Sequence, residues 1–165
     1  MRIGQAIDIH QLVENRDLIL GGVKIEHEKG LLGHSDADVL LHAVAEAIIG
    51  ALGLGDLGTH FPDTDDRYKG ISSMLLLAEV EKLMSNHNYE IGNIDATILI
   101  EEPKLAKYKQ QMENNIAAVL KCETSQVNVK ATRGEKLGFV GEKKGVAALA
   151  IVLLKERRKK EYVHL

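Results

Sequence analysis

Nine consecutive residues near the end of the chain, Val146 to Leu154, carry no charged or hydrogen-bonding side chain. The run falls well short of the roughly 20 apolar residues that a membrane helix needs, but it has the length of a strand buried in a sheet. A sheet must therefore hold this strand, and other segments must cover it. Helical periodicity supplies the cover. Val39, Leu40, Val44, Ala47, Ile48 and Leu52 recur at helical spacing in a segment running to about Gly53, and Met74, Leu75, Leu77, Ala78 and Leu83 do so within 70–86. A third helix is expected over about 104–121, beyond the break at Pro103. Strands are expected at 3–10, 92–100 and 127–132, and Leu18 to Leu20 and Val23 to Ile25 flank a Gly21-Gly22 turn as a hairpin. Gly30 to His34 reads as a glycine-bounded loop, with Ser35 or Asp36 capping the helix that follows. Residues 53–70 show no period and read as one long loop. This order predicts an α/β (α+β) sandwich, a mixed sheet covered on one face by helices. It forms a single domain over 1–165, ending in a charged, solvated tail at about 155–165.

Composition narrows the classes of function. The net charge of -3 gives no electrostatic reason to expect a nucleic acid or an acidic membrane surface as partner. Aromatic residues make up 4% of the chain and tryptophan is absent, which leaves few rings for stacking a run of nucleobases. The lone Cys122 cannot close an internal disulfide, and MRIGQAIDIH puts Asp8 and His10 where a secretion signal needs an apolar run. A soluble, cytoplasmic protein is expected.

Four constellations carry chemistry. Asp8 and His10 lie two apart on a predicted strand and face the same way, while His42 lies on the first predicted helix. Asp and two His suit a borderline cation such as Zn²⁺, and three protein ligands leave a position open for substrate; the plainer alternative is an Asp8–His10 strand-end salt bridge. Next, His34-Ser35-Asp36-Ala37-Asp38 precedes a helix, where an anion or an ordinary cap is favoured. Asp38, four residues before His42, is placed to orient that ring. Third, Asp56, Gly58 and the segment His60-Phe61-Pro62-Asp63-Thr64-Asp65 form a polar loop suited to sugar hydroxyls, or simply an Asp-rich turn. Last, Lys130 to Phe139 follows a strand and holds Thr132, Arg133 and Glu135 together; it suits a diphosphate and a harder cation bound by Glu135, or a solvated charged loop. No P-loop spacing is present.

The motifs DIH at 8–10, GLLGHSDADVLLHAV at 30–44, GDLGTHFPDTD at 55–65, GNIDATI at 92–98, EEPKL at 101–105 and VNVKAT…EKLGF at 127–139 together resemble the 2-C-methyl-D-erythritol 2,4-cyclodiphosphate synthase family, from Met1 to about Leu154. The resemblance implies a ferredoxin-like homotrimer with active sites between subunits, and a metal-dependent phosphorus–oxygen lyase of non-mevalonate isoprenoid biosynthesis. It implies cyclisation of 4-diphosphocytidyl-2-C-methyl-D-erythritol 2-phosphate with release of CMP. Zn²⁺ would sit at Asp8, His10 and His42, and Mg²⁺ or Mn²⁺ on the substrate diphosphate at Glu135. His34 would assist the transition state and, with Ser35, contact substrate oxygens. Asp56, Gly58, Phe61, Pro62, Asp63, Thr64 and Asp65 would hold the methylerythritol. The segment from Ile100 to Ala106, with Leu105, would line the cytosine pocket, Lys104 lying near the diphosphate and Ala131 and Thr132 near the phosphates. Phe139 and position 142 would complete the contact set.

Several positions depart from that pattern. Arg133 stands where the family has a Thr that assists the reaction, Gly134 where it has Asn or Thr, Glu142 where it has Arg, and Ile100 where it has Ala. An Arg133–Glu142 ion pair is one expected compensation. The departures also keep open a diverged metal-dependent phosphohydrolase or a CDP-binding protein on the same scaffold.

Overall fold

The computed structural model describes residues 1–62, 64 and 70–157. Its main sheet holds β1 (Arg2–Glu14), β4 (Lys29–Leu31), β5 (Tyr89–Leu99), β6 (Val127–Thr132) and β7 (Gly145–Glu156), in the order β4-β1-β7-β5-β6. Only β5 and β6 run parallel; the other neighbours are antiparallel, so the sheet is mixed as expected. β2 (Leu18–Leu20) and β3 (Val23–Ile25) form the separate hairpin. The helices are α1 (Val39–Leu52), α2 (Leu57–His60), α3 (Ser73–Asn86), α4 (Lys109–Leu120) and α5 (Gly138–Gly141).

The apolar run becomes β7, between β1 and β5. Its Val146, Ala148, Ala150, Val152 and Leu154 are buried. Leu149 and Ile151 point the other way and remain 40% and 56% exposed, so the run is not buried throughout. The reason is the one-sided cover: α1, α3 and α4 contribute to one core with the alternate residues of β1, β5 and β7. Ile3, Ile7 and Ile9 of β1 share the open face.

α1 packs hard against β1. A Cβ on Gly4 would stand 1.9 Å from the Ala47 carbonyl oxygen and 2.6 Å from the Ala51 nitrogen, both helix backbone. Gly4→Ala must therefore lift α1 from the sheet. The expected loss is about 2–3 kcal/mol, the usual scale for overpacking. It reads out as a lowered urea midpoint with an unchanged slope; an unaltered midpoint would mean that helix and strand are not in contact there.

Three local expectations change. Gly30 and Leu31 lie in β4, not a loop, because β1 runs on to Glu14 and offers Leu12 and Val13 as pairing partners. Asp38, rather than Ser35 or Asp36, caps α1. The segment after Gly53 contains α2, capped by Asp56. Asp63, Asp65 and 158–165 of the charged tail lie outside the described residues. No helix among the described residues is long and apolar enough to cross a membrane.

Candidate active site

β1 aims Asp8 and His10 toward α1, and α1 returns His42 one turn beyond its Asp38 cap. Asp8 Oδ2 lies 3.0 Å from His10 Nε2 and 3.1 Å from His42 Nδ1, and the two nitrogens are 3.3 Å apart. In a tetrahedral zinc site with bonds of about 2.0–2.1 Å, neighbouring ligand atoms stand roughly 3.3 Å apart. The triangle has that size. Its chemistry fits as well. His10 Nδ1 lies 2.7 Å from the Leu32 carbonyl, which only accepts, so this nitrogen donates and a neutral His10 keeps its Nε2 lone pair for the centre of the triangle. Burial alone would raise the Asp8 carboxyl, but His10 and His42, when protonated, donate hydrogen bonds and charge that hold it well below the usual carboxylate range. Burial alone would lower His10; the Asp8 hydrogen bond and charge outweigh it and raise the imidazole. The group fits a divalent cation.

The loop before α1 forms one wall of this centre. His34 and Ser35, together with His10, His42, Leu57 and Phe61, line a cavity of about 240 Å³. Arg16 secures the loop from outside: Nη1 donates to the Gly33 carbonyl at 3.3 Å and Nη2 to the Ser35 carbonyl at 3.0 Å. A Cβ on Gly33 would meet the His10 ring at 3.0 Å, so the glycine is what lets that ring lie against the loop. Neither Arg16 nor Gly33 was identifiable beforehand, because each acts through contacts with residues distant in sequence.

Asp38 does not orient the His42 ring. Its carboxylate is buried and accepts the backbone N–H groups of Gly21, Gly22 and Leu41. The outer His42 nitrogen, Nε2, instead faces Ser35 Oγ at 3.2 Å and Ser73 Oγ at 3.0 Å. Asp56 accepts from the Thr59 amide at 2.9 Å and the Thr59 hydroxyl at 2.6 Å, and it is exposed together with Gly58 and Thr64.

A second cavity of about 370 Å³ gathers Ile100, Lys104, Leu105, Ala106, Ala131, Thr132 and Arg133, with Glu101, Pro103 and Lys109 completing its wall. The two cavities share no lining residue. Glu101 Oε2 accepts the Gly134 amide at 2.9 Å and so ties the loop after β6 to the loop after β5. Glu135 and Phe139 are exposed near this loop. Glu142 pairs with Lys144 at 2.5 Å, so the expected Arg133–Glu142 pair is replaced by a shorter-range one two residues along the same segment.

A family model described as the YgbB family matches residues 1–155. The chain belongs to the YgbB family. A relative from Geobacillus sp. (strain WCH70), named 2-C-methyl-D-erythritol 2,4-cyclodiphosphate synthase, is 60% identical over 156 residues, covering 94% of this chain and 99% of that protein. Among solved structures, the family member titled IspF (Plasmodium falciparum) CDP complex has a TM-score of 0.83 and 38% identity, with 95% of this chain and 97% of that one covered. The bifunctional IspDF from Campylobacter jejuni matches at a TM-score of 0.90 and 45% identity over 94% of this chain, which spans 42% of that longer protein. The YgbB family match thus covers both cavities and the Asp8–His10–His42 group.

Proposed function

We propose that this chain converts 4-diphosphocytidyl-2-C-methyl-D-erythritol 2-phosphate to 2-C-methyl-D-erythritol 2,4-cyclodiphosphate and CMP. The observation that carries the reading is the convergence of Asp8, His10 and His42 beside the His34–Ser35 loop, in a chain 60% identical to a relative of that name. A 2-phosphate oxygen forms a bond to the β-phosphorus, the bond from that phosphorus to the bridging oxygen breaks, and CMP leaves with that oxygen.

In this reading Asp8, His10 and His42 would hold Zn²⁺, and Glu135 would help to hold Mg²⁺ or Mn²⁺. Bound cations supply Lewis-acid offset of the repulsion between two phosphates brought together. The chain's own residues position and desolvate. His34 and Ser35 present hydrogen-bonding groups to phosphate oxygens from the wall of the smaller cavity, and the segment from Asp56 to Asp65 holds the polyol. The larger cavity takes the cytidine end, with Ile100, Leu105 and Ala106 against the base and Lys104, Thr132 and Arg133 toward the diphosphate. Arg133 then adds charge where the family has a hydroxyl. Such a folded polyanion is made reactive chiefly by placement and electrostatics.

A ferredoxin-like homotrimer with shared active sites follows from the same reading. It is supported by the open sheet face, where Ile3, Ile7, Ile9, Leu149 and Ile151 are 73%, 54%, 53%, 40% and 56% exposed, and by the separation of the two cavities within one chain. A cytoplasmic setting suits the lone, half-buried Cys122. The test is metal-dependent CMP release from the cytidylyl substrate, with ³¹P NMR of the second product. The cyclic diphosphate is expected; a linear phosphate would make the chain a hydrolase, and CDP binding without turnover would make it a binding protein.

A further inference from the structure

Ser73 is the first residue of α3 and is fully buried. Its Oγ hydrogen-bonds Asp36 Oδ1, and its backbone N–H donates to Asp36 Oδ2 at 3.0 Å. The same Oγ lies 3.0 Å from His42 Nε2. A hydroxyl has one proton to give and an ionised carboxylate can only accept. The Ser73 proton therefore goes to Asp36, and an oxygen lone pair faces His42. Only an N–H on Nε2 completes that contact. A neutral His42 then has no proton on Nδ1, whose lone pair points at Asp8 Oδ2 and His10 Nε2. Ser35 Oγ imposes no such order, since it accepts the Ala37 amide at 3.1 Å and its own proton can rotate.

We infer that Asp36 and Ser73 form a carboxylate–hydroxyl relay that fixes His42 as the Nε2–H tautomer and so makes Nδ1 a metal-binding atom. Both are positioning residues. The relay is braced by backbone: the Asp36 amide donates to the Ile71 carbonyl at 3.2 Å, and the Gly70 amide to the His34 carbonyl at 2.9 Å. The strap that fixes the tautomer thereby also holds the loop carrying His34 and Ser35.

The inference rests on Asp8, His10 and His42 holding a cation. Its test combines zinc affinity, measured by competition with a chromophoric chelator, and the ring ¹⁵N shifts of His42 at pH 8, with and without zinc. The wild type is expected to bind zinc and to show Nε2–H in both states. Asp36→Asn lets an amide donate to Ser73 Oγ and turns the hydroxyl proton toward His42; a shift toward Nδ1–H and about 10–100-fold weaker zinc binding are expected. Ser73→Ala should weaken binding on the same scale, and Ser73→Thr, which keeps the hydroxyl, should recover much of it. Nδ1–H in the metal-free wild type would overturn the relay even if all three variants failed to fold. Unchanged zinc affinity and shifts in the variants, beside a wild type that binds zinc, would sink the relay alone. A wild type that binds no zinc would remove the metal centre and the relay with it.

Discussion

His42→Ala is expected to abolish stoichiometric zinc and to lower kcat/KM by more than about 100-fold, since outer partners of zinc ligands alone are worth 10–100-fold. The effect is large because the three ligands are drawn from two elements. Asp8 and His10 are fixed by β1, whose register against β7 pairs Asp8 with Ala148 and His10 with Val146; they provide one edge of the coordination triangle. Without His42 Nδ1 that edge retains a carboxylate and one imidazole, and the open coordination positions fill with water, weakening and misplacing the cation. The fold should survive. His42 is partly exposed toward the cavity, it lies in α1, whose Ala43, Val44, Ala45 and Ala47 are buried, and alanine is the residue that a helix tolerates best. Elemental analysis, circular dichroism and the CMP-release assay together check the prediction. Stoichiometric metal in the variant would show the ligand set to be wrong; loss of helix signal would show His42 to be structural.

That centre was legible in sequence because its two halves obey short rules. Alternation along a strand puts Asp8 and His10 on one face, and helical spacing of Val39, Leu40, Val44 and Ala47 places His42 on α1. The cover of the sheet on one face followed from the same periods. What stayed hidden depends on contacts across long separations. Ser73 meets His42 31 residues away and Asp36 37 residues away, so in sequence it was only one polar residue within the helical segment 70–86. Asp38 showed the i, i+4 relation to His42, but the backbone amides of Gly21, Gly22 and Leu41 claim its carboxylate, while the outer ring nitrogen of His42 is met by Ser35 and Ser73. β4 was missed because three residues containing a glycine carry no period, and only the extension of β1 gives them a partner. The open face of β7 was missed for a converse reason: an apolar run does not say which of its two faces another element will cover.

Asp38→Ala is expected to cost about 2–4 kcal/mol of stability. The carboxylate is fully buried, and its two oxygens accept three backbone donors: Gly21 at 3.0 Å, Leu41 at 3.1 Å and Gly22 at 2.7 Å. Loss of the Leu41 contact removes the cap of α1, worth about 1 kcal/mol. The buried Gly21 amide then loses its acceptor, at about 1–3 kcal/mol, while the Gly22 amide, in an exposed residue, can turn to water at less cost. Asn115 holds the other side of that turn through the Gly21 carbonyl, so the turn cannot simply swing into water without breaking a contact to α4. Asp38→Asn should be nearly as damaging, because a side-chain amide can offer only one acceptor oxygen and must point its NH₂ at a backbone N–H. The damage should also reach the site: α1 begins at Val39, and His42 lies within its first turn, so a frayed start moves Nδ1 away from Asp8. Denaturant unfolding and zinc competition on the same samples check both halves. A stable Asp38→Asn variant with normal zinc affinity would mean that the buried carboxylate does not hold hairpin and helix together.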